Sequence, residues 1–308
     1  MGLGESAGRN HLKMVEAFAA YEGVRHRLPA VVRDGSCHAA EHLGEIADDF
    51  DIFLLDAFGV LNIGETAIGG VPERVAQLQK AGKRVLVVSN AAGHPHADLM
   101  AKYRRLGYDF HADDVITSRK ATMRALAALP AQTLGLMAVE ALGRADLEGL
   151  NITYLGQTPD AYEKAEAFLL LGSGDWTEAQ QALLERTLAH ASKDVFVGNP
   201  DIVAPREDHF STEPGSFAHR LADATGVTPQ FFGKPFSNIF ELAFARLGTF
   251  DPDRTLMVGD SLHTDILGGQ AAGIKTALIA GYGFFAGHDV YQPIMASGIQ
   301  PDYILKRP

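Results

Sequence analysis

The chain is poor in the features that mark secreted and membrane-bound proteins. Its 308 residues contain one cysteine, Cys37, so no disulfide can form within the chain, as is typical of a reducing compartment. No apolar run approaches the roughly 20 residues that a membrane-spanning helix needs, and the N-terminus lacks the apolar stretch of a secretory signal. We therefore expect a cytoplasmic protein with no membrane partner.

Positive charge is also scarce. Lysine and arginine number 27 against 38 acidic residues, which gives a formal net charge of −11. Because Lys and Arg must neutralise phosphates for nucleic acid to bind, we expect no nucleic-acid partner. A small phosphorylated molecule would need a locally positive pocket or a metal ion. The sequence leaves monomer and homodimer both open.

Short apolar runs alternate with amphipathic helical stretches along most of the chain, and such alternation is typical of a parallel sheet with right-handed crossovers. The predicted fold class is α/β, with a doubly wound, Rossmann-like parallel sheet and a second α/β unit inserted into it. The length allows two domains. The predicted division is a helical N-terminal extension packed on the core (1–50), the core (51–130 and 212–308) and the inserted unit (131–211).

Asp56 directly follows the apolar run 52–55, and Gly59 comes three residues later. Ligands of open α/β sheets bind at the carboxyl ends of strands, where a carboxylate can attack phosphorus and form an aspartyl-phosphate. Because glycine has no Cβ, Gly59 would let backbone N–H groups approach phosphoryl oxygens. The alternative is that Asp56 only caps a turn.

Two further fragments could bind a phosphoryl group. Ser89 and Asn90 follow the next apolar run, and a hydroxyl with a neighbouring backbone N–H suits phosphate oxygens without adding charge. Lys234 lies between a glycine and a proline and could balance the charge on Asp56 and the phosphoryl group. The alternatives are an ordinary turn at Ser89-Asn90 and a solvated surface lysine at position 234.

The fragment 256–265 carries the metal candidates. Asp260 stands at the tip of an apolar run, and Asp265 follows five residues later. Mg²⁺ takes few protein ligands, mostly carboxylate oxygens, and keeps several waters. Asp260 could share the ion with Asp56, while Asp265 could hold the loop or orient a metal-bound water. The alternative is an Asp-Ser turn before a helix.

Together and in this order, these fragments resemble the haloacid dehalogenase superfamily of phosphohydrolases. Further segments resemble its subclass IIA, which carries a type-2 cap and includes pyridoxal phosphatase, 4-nitrophenyl phosphatases and predicted sugar phosphatases; they are 68–72, 116–118, 199–201, 214–216 and 233–235. The resemblance covers about residues 50 to 285 and leaves 1–50 unexplained. It implies that the inserted unit is a cap that closes over the substrate.

The resemblance implies a Mg²⁺-dependent phosphatase that acts on a small phosphorylated metabolite through an aspartyl-phosphate. The implied catalytic residues are Asp56, as nucleophile, and Lys234. The implied metal site consists of Asp56, the backbone carbonyl of Phe58, Asp260 and, behind these ligands, Asp265. The implied phosphate-binding residues are Gly59, Ser89, Asn90 and Lys234, and the cap residues implied to face the substrate are Asn199 and Asp201.

Phe58 departs from the pattern of these phosphatases, which normally carry an aspartate two residues after the nucleophile. That aspartate protonates the leaving group and then activates water, and general acid–base catalysis contributes about 10² to 10⁴ in rate. Three outcomes are open. Turnover is slow except with good leaving groups, or a cap residue such as Asp201, Asp208 or His209 supplies the proton, or the protein binds a phosphorylated metabolite with little catalysis.

The aromatic residue at position 58 also resembles the first motif of the haloacid dehalogenases proper, which need no metal. The retained acids Asp260 and Asp265 argue against that chemistry, so metal-free dehalogenation is the weakest of the alternatives.

Overall fold

The computed structural model describes residues 13–205 and 210–308. Residues 1–12 of the predicted N-terminal extension and two of the candidate proton donors, Asp208 and His209, lie outside the described residues. None of the helices in the described part of the chain has the length and apolarity that a membrane crossing requires.

Strands and helices alternate over most of the described residues. The strands are β1 (His38–His42), β2 (Ile52–Leu55), β3 (Asn62–Ile63), β4 (Thr66–Ala67), β5 (Arg84–Ser89), β6 (Val115–Thr117), β7 (Thr133–Met137), β8 (Asn151–Tyr154), β9 (Ala167–Leu170), β10 (Asp194–Val197), β11 (Val203–Pro205), β12 (Phe210–Thr212), β13 (Gln230–Phe231), β14 (Thr255–Gly259), β15 (Lys275–Ile279) and β16 (Tyr303–Arg307). The helices are α1 (Met14–Gly23), α2 (Val71–Lys80), α3 (His96–Arg105), α4 (Ser118–Leu126), α5 (Asp160–Lys164), α6 (Glu178–His190), α7 (Pro214–Thr225), α8 (Ser237–Leu247), α9 (Leu267–Ala271) and α10 (Tyr291–Ser297), and a π-helical turn, Leu262–Ile266, leads into α9.

The larger sheet has seven strands in the order β1-β16-β15-β14-β2-β5-β6, and every neighbouring pair is parallel. The chain fills the sheet from β2 towards β6 and later from β14 towards β16. The direction of winding therefore reverses between β2 and β14, and this reversal is where open α/β sheets bind their ligands. The predicted doubly wound α/β fold is confirmed.

The central strand β2 shows why this sheet is covered on both faces. Phe53 and Leu55 pack into one apolar cluster, whereas Ile52 and Leu54 pack into another on the opposite face. Successive side chains of a strand point to opposite faces, so an uninterrupted apolar run needs helices on both sides. Helix α2 contributes to the first cluster and packs on one face of β5, whereas α8 contributes to the second cluster and packs on the other face.

The smaller sheet has five parallel strands in the order β13-β10-β9-β7-β8. Helices α6 and α7 pack on one another, and α7 also packs on β10. The sheet extends past the predicted boundary at residue 211, because β13 pairs with the end of β10 at Val197–Phe231. The division of the chain into domains stays a prediction, and the unit built on the smaller sheet is called the cap.

The N-terminal region only partly follows its prediction. Residues Met14–Gly23 form a helix, but His38–His42 forms strand β1, which pairs in parallel with β16 at the edge of the larger sheet. The helical assignment is wrong for this strand. Its sequence, His-Ala-Ala-Glu-His, lacks the apolar run of a buried strand, because an edge strand is partly exposed to solvent. The strand conformation therefore depends on backbone pairing with β16 and not on a pattern of side chains.

Candidate active site

Three carboxylates meet at the carboxyl edge of the larger sheet. Asp56 directly follows β2, Asp260 directly follows the neighbouring strand β14, and Asp265 stands on the π-helical turn. One carboxylate oxygen of each lies within 4.8 Å of the others. Asp56 and Asp260, which are 204 positions apart in sequence, thus lie side by side, because parallel pairing of β2 with β14 brings the ends of the two strands together. Asp260 and Asp265 are buried, and the Asp56 side chain is 14% exposed.

Lys234 lies against two of these carboxylates. Its Nζ donates a hydrogen bond to Asp56 Oδ1 at 2.6 Å and forms an ion pair with Asp265 Oδ1 at 2.7 Å. The lysine is 2% exposed, so the alternative of a solvated surface lysine is wrong, and its role in the site stays a prediction. Three carboxylates and one ammonium leave a formal charge of −2 in this cluster.

Burial, together with this excess of negative charge, raises the pKa values of two of the acids. Burial raises the pKa of Asp56 to about 6, against the opposing effect of Lys234 and with added repulsion from Asp265. Burial also raises the pKa of Asp260 well above its usual range, with repulsion from Asp265 and Asp56 adding to it. The acid cluster is therefore unfavourable by itself, and a divalent cation would neutralise its formal charge.

Two glycines with positive φ allow the chain to close around Asp260. Gly59 has φ +74° and Gly283 has φ +69°, and a Cβ on either residue would collide with the Asp260 carboxylate, at 2.4 Å and 1.8 Å from Oδ2 respectively. The N–H of Phe284 donates to this same Oδ2 at 2.8 Å. The N–H of Gly59 donates to the Asn62 carbonyl at 3.0 Å, so the role shown for Gly59 is close approach to Asp260. Its predicted phosphate contact stays a prediction.

Asn90 joins the core to the cap. Its Oδ1 accepts the N–H of Lys234 at 2.7 Å, and its Nδ2 donates to the Lys234 carbonyl at 2.9 Å and to Asp201 Oδ1 at 2.7 Å. The side-chain amide is thus used in holding these two residues, and a phosphate contact by Asn90 would have to come from its backbone N–H. Ser89 is buried beside it, and its Oγ accepts the N–H of Ala91 at 3.3 Å.

The two predicted cap residues lie in one loop above this cluster. Asn199 Oδ1 accepts the N–H of Asp201 at 3.0 Å, and Asn199 Nδ2 donates to Glu213 Oε2 at 3.1 Å. These bonds use the Asn199 side chain to shape the loop, while Asp201 presents its carboxylate to Asn90. Burial raises the pKa of Asp201 to about 7, although the Asn90 hydrogen bond and Lys234 lower it.

A cavity of about 390 Å³ lies between the two sheets. The residues that line it include the predicted nucleophile and the predicted cap residues, namely Asp56, Phe58, Ser89, Asn90, Asn199, Asp201, Lys234 and Asp260. Phe58 is half-buried in its wall, on the turn after β2. The structure therefore brings the separately predicted fragments to a single cavity.

A metal ion would be held by the acid cluster. Asp56 and Asp260 offer carboxylate oxygens, the ligands that Mg²⁺ prefers in proteins, and the Phe58 backbone lies on the same turn as Asp56. Asp265 points one oxygen at Lys234 and accepts the N–H of Ser261 with the other at 3.1 Å. Its side chain thus orients the loop that carries Asp260, and its predicted position behind the ligands stays a prediction.

Comparison with known proteins agrees with this geometry. Residues 53–153 match the family model described as haloacid dehalogenase-like hydrolase, and residues 231–307 match the model described as HAD-hydrolase-like. The chain is 30% identical to human glycerol-3-phosphate phosphatase over 270 residues, which cover 78% of this chain and 82% of that protein. The chain belongs to the haloacid dehalogenase-like hydrolases. The prediction of an enzyme of this family and of its phosphatase branch is confirmed.

Solved structures of similar proteins support the fold. A possible sugar phosphatase of the haloacid dehalogenase superfamily from Cytophaga hutchinsonii aligns with a TM-score of 0.77 at 23% identity, over 88% of this chain and 98% of that one. Glycerol phosphate phosphatase from Mycobacterium tuberculosis, solved in complex with magnesium, aligns with a TM-score of 0.67 at 25% identity, over 84% of this chain and 75% of that one.

Sequence reasoning missed the loop that follows β15 in this haloacid dehalogenase-like chain. The segment 281–287 reads as an ordinary glycine-rich loop, yet Gly283 leaves room for the Asp260 carboxylate and the Phe284 N–H donates a hydrogen bond to it. It also missed Tyr21, which reaches the cavity from α1. No motif marks either position, because their role comes from contacts between segments far apart in sequence.

We expect Gly59→Ala to lower the free energy of unfolding by about 1–3 kcal/mol, since the new Cβ meets Asp260 and the residue must keep a positive φ. Gly69→Ala is the matched control, because its Cβ enters open space and its φ is ordinary. Urea denaturation of the three proteins provides the measurement. Equal stability of the Gly59→Ala variant and the wild type would contradict the packing described for Asp260.

Proposed function

We propose that this chain is a Mg²⁺-dependent phosphohydrolase of a small phosphorylated metabolite, and that Asp56 forms an aspartyl-phosphate. The observation that carries the proposal is the convergence of Asp56, Asp260 and Lys234 in the wall of one cavity, with Asp265 buried directly behind them. Carboxylates and an ammonium in this arrangement suit a metal ion and a phosphoryl group together. The magnesium-bound mycobacterial relative supports the choice of metal.

The metal, when bound, would neutralise charge on the phosphoryl oxygens and on Asp56. Lys234 holds the Asp56 carboxylate through Oδ1 and adds a second positive charge at the phosphoryl group. Asp56 attacks phosphorus, a P–O bond to its carboxylate forms, and the P–O bond to the leaving group breaks. Water then attacks the same phosphorus, which releases inorganic phosphate and regenerates the Asp56 carboxylate.

The leaving oxygen needs a proton that Phe58 cannot give, and we assign that step to Asp201. Three observations support the assignment. Asp201 lines the same cavity as Asp56, its carboxylate is fixed at 2.7 Å by Asn90, and its pKa of about 7 leaves it substantially protonated near neutral pH. The protonated carboxyl gives its proton to the leaving oxygen, and the resulting carboxylate takes one from the attacking water.

Phe58 also favours a second candidate function, that of a phosphometabolite-binding protein with little catalysis. The same cavity and acid cluster would hold the ligand. Without a usable proton donor, the bond between phosphorus and the leaving oxygen would stay intact. The two candidates separate on turnover, since binding alone raises the melting temperature without releasing phosphate.

We expect Asp56→Asn to lower phosphate release from an aryl or alkyl phosphate by at least about 10³-fold, because it removes the nucleophile. Wild-type activity should disappear with a chelator and return with Mg²⁺. Asp194→Asn, an exposed aspartate at the start of β10, is the control and should keep full activity. If the wild type stabilises on adding Mg²⁺ and inorganic phosphate but hydrolyses no member of a broad phosphometabolite panel, the binding function holds instead.

We expect Asp201→Asn to lower turnover of an alkyl phosphate by about 10²-fold and to spare 4-nitrophenyl phosphate, whose leaving group needs no proton. In the wild type, alkyl phosphate turnover should fall as pH rises through about 7, because the acid form of Asp201 is lost. This alkaline decline should be absent in Asp201→Asn and present in Asp194→Asn. Its survival in Asp201→Asn would assign the proton to another group.

Phe58→Asp tests whether the missing aspartate limits the rate. If Asp201 supplies the proton, Phe58→Asp should change wild-type turnover little and should restore activity in the Asp201→Asn background. Phe58→Asn is the control, since it has a similar shape but no titratable proton. A large rise in turnover from Phe58→Asp alone would show that no residue of the natural chain fills this role, and would remove Asp201 from the mechanism.

A further inference from the structure

The N-terminal segment, which the family resemblance leaves unexplained, reaches the candidate active site through Tyr21. Tyr21 lies near the end of α1, is 3% exposed and lines the cavity. Its hydroxyl accepts the N–H of Ile202 at 3.2 Å and donates a long hydrogen bond to the Val203 carbonyl at 3.5 Å. These are the two residues directly after Asp201.

The other side of the Tyr21 ring packs on the core. The ring stacks on His263 with centroids 5.0 Å apart and planes 11° apart, and its edge meets Phe284 at 6.1 Å. His263 is buried on the π-helical turn after Asp260, and the Phe284 N–H binds the Asp260 carboxylate. Tyr21 therefore lies between the cap loop that carries Asp201 and the core loops that surround Asp260.

Neighbouring residues of the same segment hold Tyr21 in place. Glu22 Oε1 lies 2.5 Å from His263 Nε2, and Phe18 packs edge-on against the same imidazole at 5.3 Å. Arg27 pairs with Asp223 on the cap helix α7. This last pair is largely exposed and contributes little to stability, but it shows that the segment contacts the cap at two separate places.

A backbone loop needs partners for its N–H and C=O groups, and those partners set its conformation. Asn199 makes one hydrogen bond to this backbone from within the loop, whereas the Tyr21 hydroxyl makes two from outside it. Burial raises the pKa of Tyr21 well above its usual range, with the nearby Asp201 charge adding to it, so the hydroxyl keeps the proton with which it binds Val203.

We propose that Tyr21 is a positioning residue for the reaction: it fixes the loop 199–205 against the core and so places the Asp201 carboxyl over the reacting centre. The inference rests on the proposed function for its catalytic consequence, but the anchoring of the loop does not. It gives the N-terminal segment a role, in which a helix outside the family pattern supports the cap residue to which we assign the proton transfer.

Tyr21→Phe removes the hydroxyl and keeps the ring, so packing on His263 is retained. We expect amide hydrogen exchange of Ile202 to become about tenfold faster in the full-length chain with Mg²⁺ present, because its acceptor is lost. We expect kcat for an alkyl phosphate to fall by about tenfold, with KM changed less than twofold and 4-nitrophenyl phosphate turnover retained. Tyr162→Phe is the matched control, since it deletes another buried tyrosine hydroxyl that donates to a backbone carbonyl, that of Gly156.

A double variant shows whether Tyr21 acts through Asp201. Tyr21→Phe should lower alkyl phosphate turnover in the wild type but add no further loss in Asp201→Asn, because the two residues serve one step. Independent, multiplying losses would overturn the proposal. Unchanged exchange at Ile202 would overturn it as well, and so would faster exchange with unaltered turnover. If the wild type releases no phosphate, the proposed function fails, and the exchange result alone decides whether Tyr21 holds the loop.

Discussion

The buried ion pairs of Lys234 are the interaction on which the site depends. An ammonium group with 2% exposure is stable only when it is paired, and Asp56 and Asp265 both lie within 2.7 Å of it. The backbone of Lys234 is in turn held on both its N–H and C=O by Asn90. One lysine therefore connects Asp56, the proposed nucleophile, with the loop after β14 and with the contact between core and cap.

The site also reconciles an acidic chain with a phosphorylated ligand. The formal charge of −11 disfavours anions over the surface as a whole, and even the acid cluster carries an excess of two negative charges beside its single lysine. Attraction of a phosphoryl group must then come from a bound divalent cation together with Lys234. Burial raises the pKa values of Asp56 and Asp260, repulsion among the acids adds to this rise, and a bound cation would oppose it.

The family pattern places the nucleophile and the proton donor two residues apart on one loop. The chemistry proposed for this chain uses three separate segments instead. In the proposal, Asp56 on the turn beyond β2 is the nucleophile and a metal ligand, whereas Phe58, two residues later, cannot donate a proton. Asp201 of the cap takes the proton role in the proposal, and Tyr21 of the N-terminal helix supports the loop that carries it. Such a division makes proton transfer depend on the cap lying over the core, because Asp201 belongs to the cap and its carboxylate meets the core at Asn90.

The sequence by itself determined the alternation of strands and helices and the residues at strand ends, because uninterrupted apolar runs followed by Asp56, Ser89 and Asp260 are local patterns that burial on both sheet faces demands. The strand β1, the pairing of β13 with the cap sheet and the loop around Gly283 were decided only by the tertiary structure. These three features depend on contacts with backbone groups and with one carboxylate that are distant in sequence, so no local sequence pattern predicts them. The same holds for Tyr21, an aromatic residue on a short helix until the fold sets it between Ile202 and His263.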